Sequence, residues 1–173
     1  QELTPIVHKL PSYIKSSEHL LKWLKNTNFD PWNVSFFSCN AVSMYTNIDT
    51  NHTLEVLEPF LSNLPLCTGC PANAVITALD ILMRQNVFKL GDTYWKQNSG
   101  TAMGTPPGAN YAELYYGTWE IEFTANFLEN LALYCRYIDD GIGLWIHHPD
   151  PDIDRNSFAS LQATINSFGS LEW

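Results

Sequence analysis

Basic residues are scarce in this sequence. Nine lysines and arginines face eighteen acids in 173 residues, a net charge of -9. Phosphate contacts are made by Lys and Arg, so bulk electrostatics argue against a general nucleic-acid binder. The positive charge gathers early, where Lys9, Lys15, Lys22 and Lys25 stand against Glu2 and Glu18. Any grip on phosphate is expected at that end. Long apolar runs are missing too. No stretch reaches the ~18 residues that span a bilayer, so no membrane partner is expected. Gln1 is not followed by a charged, apolar, small-residue leader, and the chain reads as an excised segment. It is expected inside the cell, with the nucleus as a candidate compartment.

Cysteine is sparse as well. Cys39, Cys67, Cys70 and Cys135 are too few for a disulfide scaffold. Cys67-Thr-Gly-Cys70 has the spacing of half a zinc site. No second such pair follows, and His147 and His148 are adjacent, which suits joint ligation poorly, so no zinc is expected. The pair reads as a loop before Pro71. The triplets Asn33-Val-Ser35 and Asn51-His-Thr53 read as chance matches to a glycosylation acceptor. Repeats and low-complexity tracts are absent from the sequence.

What is present is enough for a core. Hydrophobic residues make up 45% and aromatics 13%, which excludes wholesale disorder and suits a single domain. Ser16-Ser17-Glu18 predicts a helix start, with Leu20, Leu21 and Leu24 on one face. Asp30-Pro31 breaks it. Val34–Phe37 and Cys39–Met44 read as a strand. Thr50 is expected to cap a helix using Leu54, Leu57 and Leu61, and Pro71 to open another using Val75, Leu79, Leu82 and Met83. Gly91-Asp92 between Val87–Leu90 and Thr93–Gln97 predicts a hairpin. A Gly/Pro/Thr loop at Gly100–Gly108 precedes a long helix from Ala109 to Asn130. Leu133–Tyr137 and Ile142–Ile146 read as a second hairpin around Asp139-Asp140. A last helix is expected from Asn156 or Ser157, with Phe158, Leu161, Ile165 and Phe168 inward, and Ser170–Trp173 as a further strand. Strands separated by helices, with hairpins among them, predict an α+β domain with a mostly antiparallel sheet packed on helices.

Asp139 and Asp140 are the sharpest chemical feature. Adjacent carboxylates at a hairpin tip repel one another unless a cation or solvent compensates. Magnesium takes oxygen ligands and bridges carboxylates to phosphates. A solvated turn accounts equally well for this motif taken alone.

Three segments in order resemble the palm of a reverse transcriptase, most closely those of Penelope-like retroelements. Val42-Ser-Met-Tyr-Thr-Asn-Ile48 is similar to that family's Asp-Val-x-Ser-Leu-Tyr-Thr-Asn-Ile stretch. Gln97-Asn-Ser-Gly-Thr-Ala-Met-Gly-Thr-Pro106, followed by Ala109-Asn-Tyr-Ala112, is similar to its Gln-x-x-Gly-x-x-Met-Gly-Ser-Pro loop and helix. Arg136-Tyr-Ile-Asp-Asp140 is the third. Leu10-Pro-Ser-Tyr-Ile-Lys15 resembles the family's lead-in. The resemblance covers nearly the whole chain as one partial domain, with 1–33 as lead-in and fingers edge and 34–173 as palm. The remaining fingers, the thumb and any endonuclease are expected to lie outside it.

The resemblance implies an RNA-directed DNA polymerase that uses an RNA template, a DNA primer and deoxynucleotides with Mg2+ or Mn2+. Asp139 and Asp140 would be the metal carboxylates. Tyr45 would be the aromatic gate against a ribose 2′-hydroxyl. Gln97, Gly100, Met103, Gly104, Thr105, Pro106 and Tyr137 would lie along the substrate. Arg136 is expected to pair with a local acid. One position departs from the pattern: Asn40 stands five residues before Tyr45, where the family has its first Asp. A hard dication prefers carboxylate to amide, so the resemblance implies impaired chemistry. A decayed or co-opted palm kept as an interaction or structural module is the alternative.

Overall fold

The computed structural model describes residues 3–66 and 69–173. After two helices, α1 (Thr4–Val7) and α2 (Ser17–Asn26), comes strand β1 (Val34–Asn40). Helices α3 (Met44–Asn47), α4 (Thr50–Ser62) and α5 (Ala72–Arg84) follow. The hairpin β2 (Val87–Leu90) and β3 (Thr93–Lys96) leads to α6 (Gly108–Asn126). The chain finishes with β4 (Leu131–Tyr137), β5 (Asp140–Ile146) and α7 (Pro151–Ile165). The main sheet has the order β1-β5-β4 and is antiparallel throughout, while β2 and β3 pair only with each other. The expected α+β architecture is therefore present. Among the described residues no helix is long and apolar enough to cross a membrane.

Helix α6 organises the interior. Tyr111, Ala112, Leu114, Tyr115 and Tyr116 are buried in one cluster with Leu10, Met44, Ile48, Leu57, Leu61 and Leu79. Phe123, one end further along, is buried in a second cluster with Leu131, Tyr134, Trp145, Leu161 and Ile165. A helix covered on all sides loses the usual apolar stripe. It therefore carries Glu113 and Glu120 into the interior as well. Helix α2 is the opposite case: none of its residues is buried, and Leu21 is exposed.

Several boundaries differ from those the sequence predicts, each for a local reason. Strand β1 stops at Asn40 rather than running to Met44. The next two N–H groups leave the ladder, Ala41 N–H to Asp139 O (2.9 Å) and Val42 N–H to Glu172 O (2.8 Å). Ser43 then turns left-handed at φ 51° and α3 begins. Asp49, not Thr50, caps α4, its carboxylate accepting from His52 N–H at 2.8 Å. Helix α7 begins at Pro151, capped by Asp150, because a carboxylate cap and a first-turn proline outweigh the lack of buried apolar residues in that turn. Helix α6 ends at Asn126, where Phe127 leaves helical geometry, and β4 starts early at Leu131 with an irregularity before Leu133. Residues 170–173 form no strand, since Glu172 O is used by Val42 and Trp173 N–H by Asn166 Oδ1. The Cys67–Cys70 reading includes Cys67, which lies outside the described residues.

A polar latch fixes β1 to α7. Ser35 Oγ lies 2.7 Å from His147 Nε2, and His147 Nδ1 lies 2.9 Å from Asp154 Oδ2. Asp154 also accepts from Trp145 Nε1 (2.9 Å) and His148 N–H (3.0 Å). The line has the order of a proton relay. Ser35, however, sits in regular ladder pairing opposite Trp145, with no strained turn to project its hydroxyl as a nucleophile. We read it as structural. The His147 contact first, then the His148 and Trp145 donors, bring the Asp154 carboxyl from 3.8 to about 2. A lowered acid stabilises the fold while ionised, so this contribution is present above the unfolded value and fades as pH falls through about 2. Asp154→Asn should lower the urea midpoint at neutral pH, and the gap from the parent should close on acidification from pH 4 to 2. An undiminished gap at low pH would show that the latch does not act through the carboxylate charge.

Candidate active site

The β4–β5 hairpin turns through Ile138 and Asp139, with Tyr137 paired to Asp140. Ile138 takes φ 57°, a region that glycine prefers and a β-branched residue enters at a cost of about 1–3 kcal/mol. Two contacts hold it there. Its side chain packs against the first core cluster, and its carbonyl accepts from Arg136 Nη1 at 2.6 Å.

Arg136 is buried at 1% exposure and serves the whole tip. Its guanidinium donates to Glu113 Oε2 (2.7 Å) and to Glu120 Oε1 (2.5 Å). Glu120 also accepts from Ser12 Oγ and Tyr134 Oη. The backbone of Arg136 pairs with the lead-in, taking Ser12 O at 2.7 Å and giving its own carbonyl to Ile14 N–H at 3.1 Å. The predicted partner is thus an acid, but from α6 rather than from the neighbouring chain. Burial works against the Arg136 charge, and Glu120 and Glu113 outweigh it, so it is held more firmly than in water. Burial raises the Glu113 carboxyl above its ordinary range, against the pull of Arg136.

Asn40 meets this turn directly. It is the register partner of Asp140 across β1 and β5, and its Nδ2 donates to Asp140 Oδ1 at 2.8 Å. Asp139 is tied to the same strand end through its carbonyl and Ala41 N–H. Beside them opens a cavity of about 720 Å³, lined by Asn40, Tyr137, Asp140, Lys15 and Ser16 among others. Cys39 lies under the hairpin, where a side chain on Gly141 would meet its Sγ. Burial pushes the Cys39 thiol up to about 11, so it stays protonated.

The other motif residues divide. Gly100 (φ 74°) abuts the first motif so closely that a Cβ there would lie 2.8 Å from Thr46 Cα and Tyr45 O. Thr101 N–H donates to Tyr45 O at 2.6 Å. Tyr45 is half-buried, and burial first, then Glu113 and Asp139, raise its hydroxyl above the ordinary value. Gly100 and Tyr45 are therefore brought together, with the charge of Asp139 acting on the ring. Met103, Gly104 and Pro106 lie on an exposed stretch of loop, and Thr105 turns its hydroxyl to Ala102 O. Gln97 donates to Ser99 O and faces a different cavity, shared with Arg84. Sequence reasoning missed Glu113, Glu120 and Ser12. The available signal was the spacing of Glu113 and Glu120, seven apart and so on one face of the helix.

As a cation site the group is incomplete. Among the described residues no three His, Cys, Asp or Glu side chains cluster in a metal-holding arrangement. Asp139 and Asp140 offer carboxylates, and the third contributor turns an N–H, not an oxygen, toward Asp140. The residues present do not fit a tightly held dication.

Two variants test this account. Arg136→Leu should cost about 3–5 kcal/mol in urea unfolding at pH 7, because it strands buried carboxylates. The cost should shrink toward pH 5 as Glu113, whose carboxyl burial already raises, takes up a proton, and a pH-independent cost would refute the charge argument. Gly100→Ala should destabilise the Tyr45 contact by more than the ~1 kcal/mol of a simple backbone substitution, read as a lower thermal midpoint and altered Tyr45 ring signals. An unchanged protein would show that the approach is not tight.

No family model matches the chain, and no curated protein matches it. Solved structures do. The apo telomerase of Candida tropicalis, truncated from its C-terminal domain, superposes with a TM-score of 0.72 at 14% identity, covering 98% of this chain and 37% of that one. The telomerase of Candida albicans in complex with a TWJ fragment of telomeric RNA gives 0.67 at 11% identity, covering 99% and 32%. The corresponding RNA complex from Candida tropicalis gives 0.64 at 12%, covering 98% and 31%. The chain spans about a third of the length of these proteins, and its fold is reverse-transcriptase-like.

Proposed function

We propose that this chain is the palm of a reverse transcriptase of the Penelope-like retroelement type, a single partial domain with 1–33 as lead-in and 34–173 as palm, whose nucleotidyl transfer is impaired by Asn40. The observation that carries the reading is the Asn40–Asp140 hydrogen bond at 2.8 Å across the first and third motifs. Motifs separated by 100 residues meet where a polymerase palm needs acids. The docking of Gly100 and Thr101 on Tyr45 supports it from the second motif. The telomerase likeness supports the fold, and RNA in two of those structures is consistent with an RNA template here.

In this reading Arg136 orients the tip and Tyr45 presents its ring where a ribose 2′-hydroxyl would arrive. Lys15 brings a positive charge to the cavity beside Asp140. Asn40 supplies a donor where the chemistry calls for a negative acceptor. Losing one carboxylate from a Mg2+ or Mn2+ site removes a few kcal/mol of charge stabilisation, a loss of about a hundredfold or more in rate. Asn40→Asp should raise Mn2+ affinity, measured calorimetrically, and raise template-directed deoxynucleotide incorporation by about a hundredfold in the protein carrying its remaining domains. Equal incorporation by parent and variant would sink the impairment. Absence of incorporation in both, with Mn2+ binding unchanged, favours the co-opted palm, a reading that the Asn40 amide donor also suits.

A further inference from the structure

A second cavity lies apart from the aspartate turn. It measures about 410 Å³ and is lined by Arg84, Lys96, Asn51, Thr46, Asn98 and Ser99, among other mostly polar residues. Two of the chain's nine lysines and arginines therefore face one polar hollow. Arg84 uses Nε on Asp80 and Nη2 on Asn51 Oδ1 (2.6 Å), which fixes the guanidinium plane. Among the described residues its Nη1 has no partner, and Lys96 has no carboxylate partner. Asp49 also lines the hollow, but its carboxylate is engaged by His52 N–H.

The hollow continues onto the β2–β3 ribbon. All eight ribbon residues are exposed. Register pairs Val87 with Lys96 and Lys89 with Tyr94, and opposed residues share a face. One face thus carries Lys96, Lys89 and Tyr94, with Lys89 Nζ 6.0 Å from the Tyr94 ring centre. Tyr94 is 73% exposed. The other face carries Phe88, Leu90 and Trp95. Between Arg84 and Gln97 the chain has three cations against Asp92 alone, the reverse of its overall sign.

Cations spaced along a ribbon with an exposed aromatic between them match the chemistry of a single nucleic-acid strand, whose phosphates meet the cations while a base stacks on the ring. We propose that the Arg84–Lys96 hollow is a phosphate-binding site, and that the ligand is the backbone of a single strand running on over Tyr94 and Lys89. The site is independent of Asp139, Asp140 and any metal.

The test uses the chain as it stands, without metal or nucleotide. Fluorescein-labelled oligouridylate and oligothymidylate are titrated across a salt series, and pyrophosphate is titrated separately. Binding should weaken with salt, and Arg84→Gln or Lys96→Gln should each reduce the salt slope by about 1. Tyr94→Ala should weaken binding about fivefold or more with its slope unchanged. Arg155→Gln, an exposed cation on α7 away from both cavities, should change nothing, and with no metal or nucleotide present this result stands or falls apart from polymerase activity. The two oligonucleotides distinguish RNA from DNA, and binding of either supports the site. Thermal midpoints confirm that the exposed variants fold. Pyrophosphate binding that needs Arg84 and Lys96, without oligonucleotide binding, would overturn the strand in favour of a free polyphosphate. Dimerisation abolished by Phe88→Ser, with no oligonucleotide binding, would overturn it in favour of a second copy. Oligonucleotide binding indifferent to Arg84, Lys96 and Tyr94 would overturn it outright.

Discussion

One buried guanidinium ties this domain together. Arg136 reaches α6 through Glu113 and Glu120, the lead-in through Ser12 and Ile14, and the hairpin tip through the Ile138 carbonyl. Each partner comes from a different part of the chain, so no local segment can assemble the group alone. Its energetics are asymmetric: the intact group adds little net stability, whereas loss of one member leaves charge in a low dielectric. Such a group specifies arrangement more than it stabilises. Here what it specifies is the angle of the turn that carries Asp139 and Asp140. The strained Ile138 backbone is tolerable because that same guanidinium holds its carbonyl.

Asn40 sets the electrostatics of the turn by pairing with Asp140 as a donor. A carboxylate at this register position would face Asp140 as a like charge, and without a compensating cation the pair would repel. The amide donates instead, and the strand ends sit together in the absence of any cation. In the proposed reading, an amide here both weakens a cation site and relieves the repulsion that a cation would balance. Geometry alone, including a TM-score of 0.72 to a telomerase, cannot distinguish a charged site from its neutral relic, because both close the same ladder.

The antiparallel sheet was legible in the sequence, and the resemblance put Asn40 and Asp140, which pair across β1 and β5, in related motifs. Alternation and turn residues act locally, whereas which strands meet was implied only by the resemblance. Boundaries were less legible where caps competed with apolar periodicity: Asp150 starts a helix whose first turn buries nothing, and Asp49 one whose first turn buries only Thr53. Helix α6 hid its role for a different reason. Surrounded by core, it shows no polar face against which Glu113 and Glu120 stand out, and acids in a helix are ordinarily solvated. The partner of Arg136 lay 16 and 23 residues away, beyond any window that reads local pairs. The ribbon was predicted as a hairpin, but its two faces exist only once Lys89 is placed opposite Tyr94.

Charge separation links the two cavities. The chain is acidic overall, yet its described cations are not distributed as a neutralising film. Arg136 is spent inside, Lys15 borders the aspartate turn, and Arg84, Lys89 and Lys96 gather on one ribbon and its hollow. The connection between ribbon and first motif is short. Lys96 is followed by Gln97, whose amide closes on Ser99 O, then by Gly100 and Thr101, which lock onto Tyr45. Tyr45 in turn feels the charge of Asp139. Anything that draws phosphate to Lys96 thus pulls on a segment with no slack before the aromatic ring of the first motif. A domain that had lost its chemistry through Asn40 would keep the contacts from Lys96 to Tyr45, since none of them uses a carboxylate of the turn.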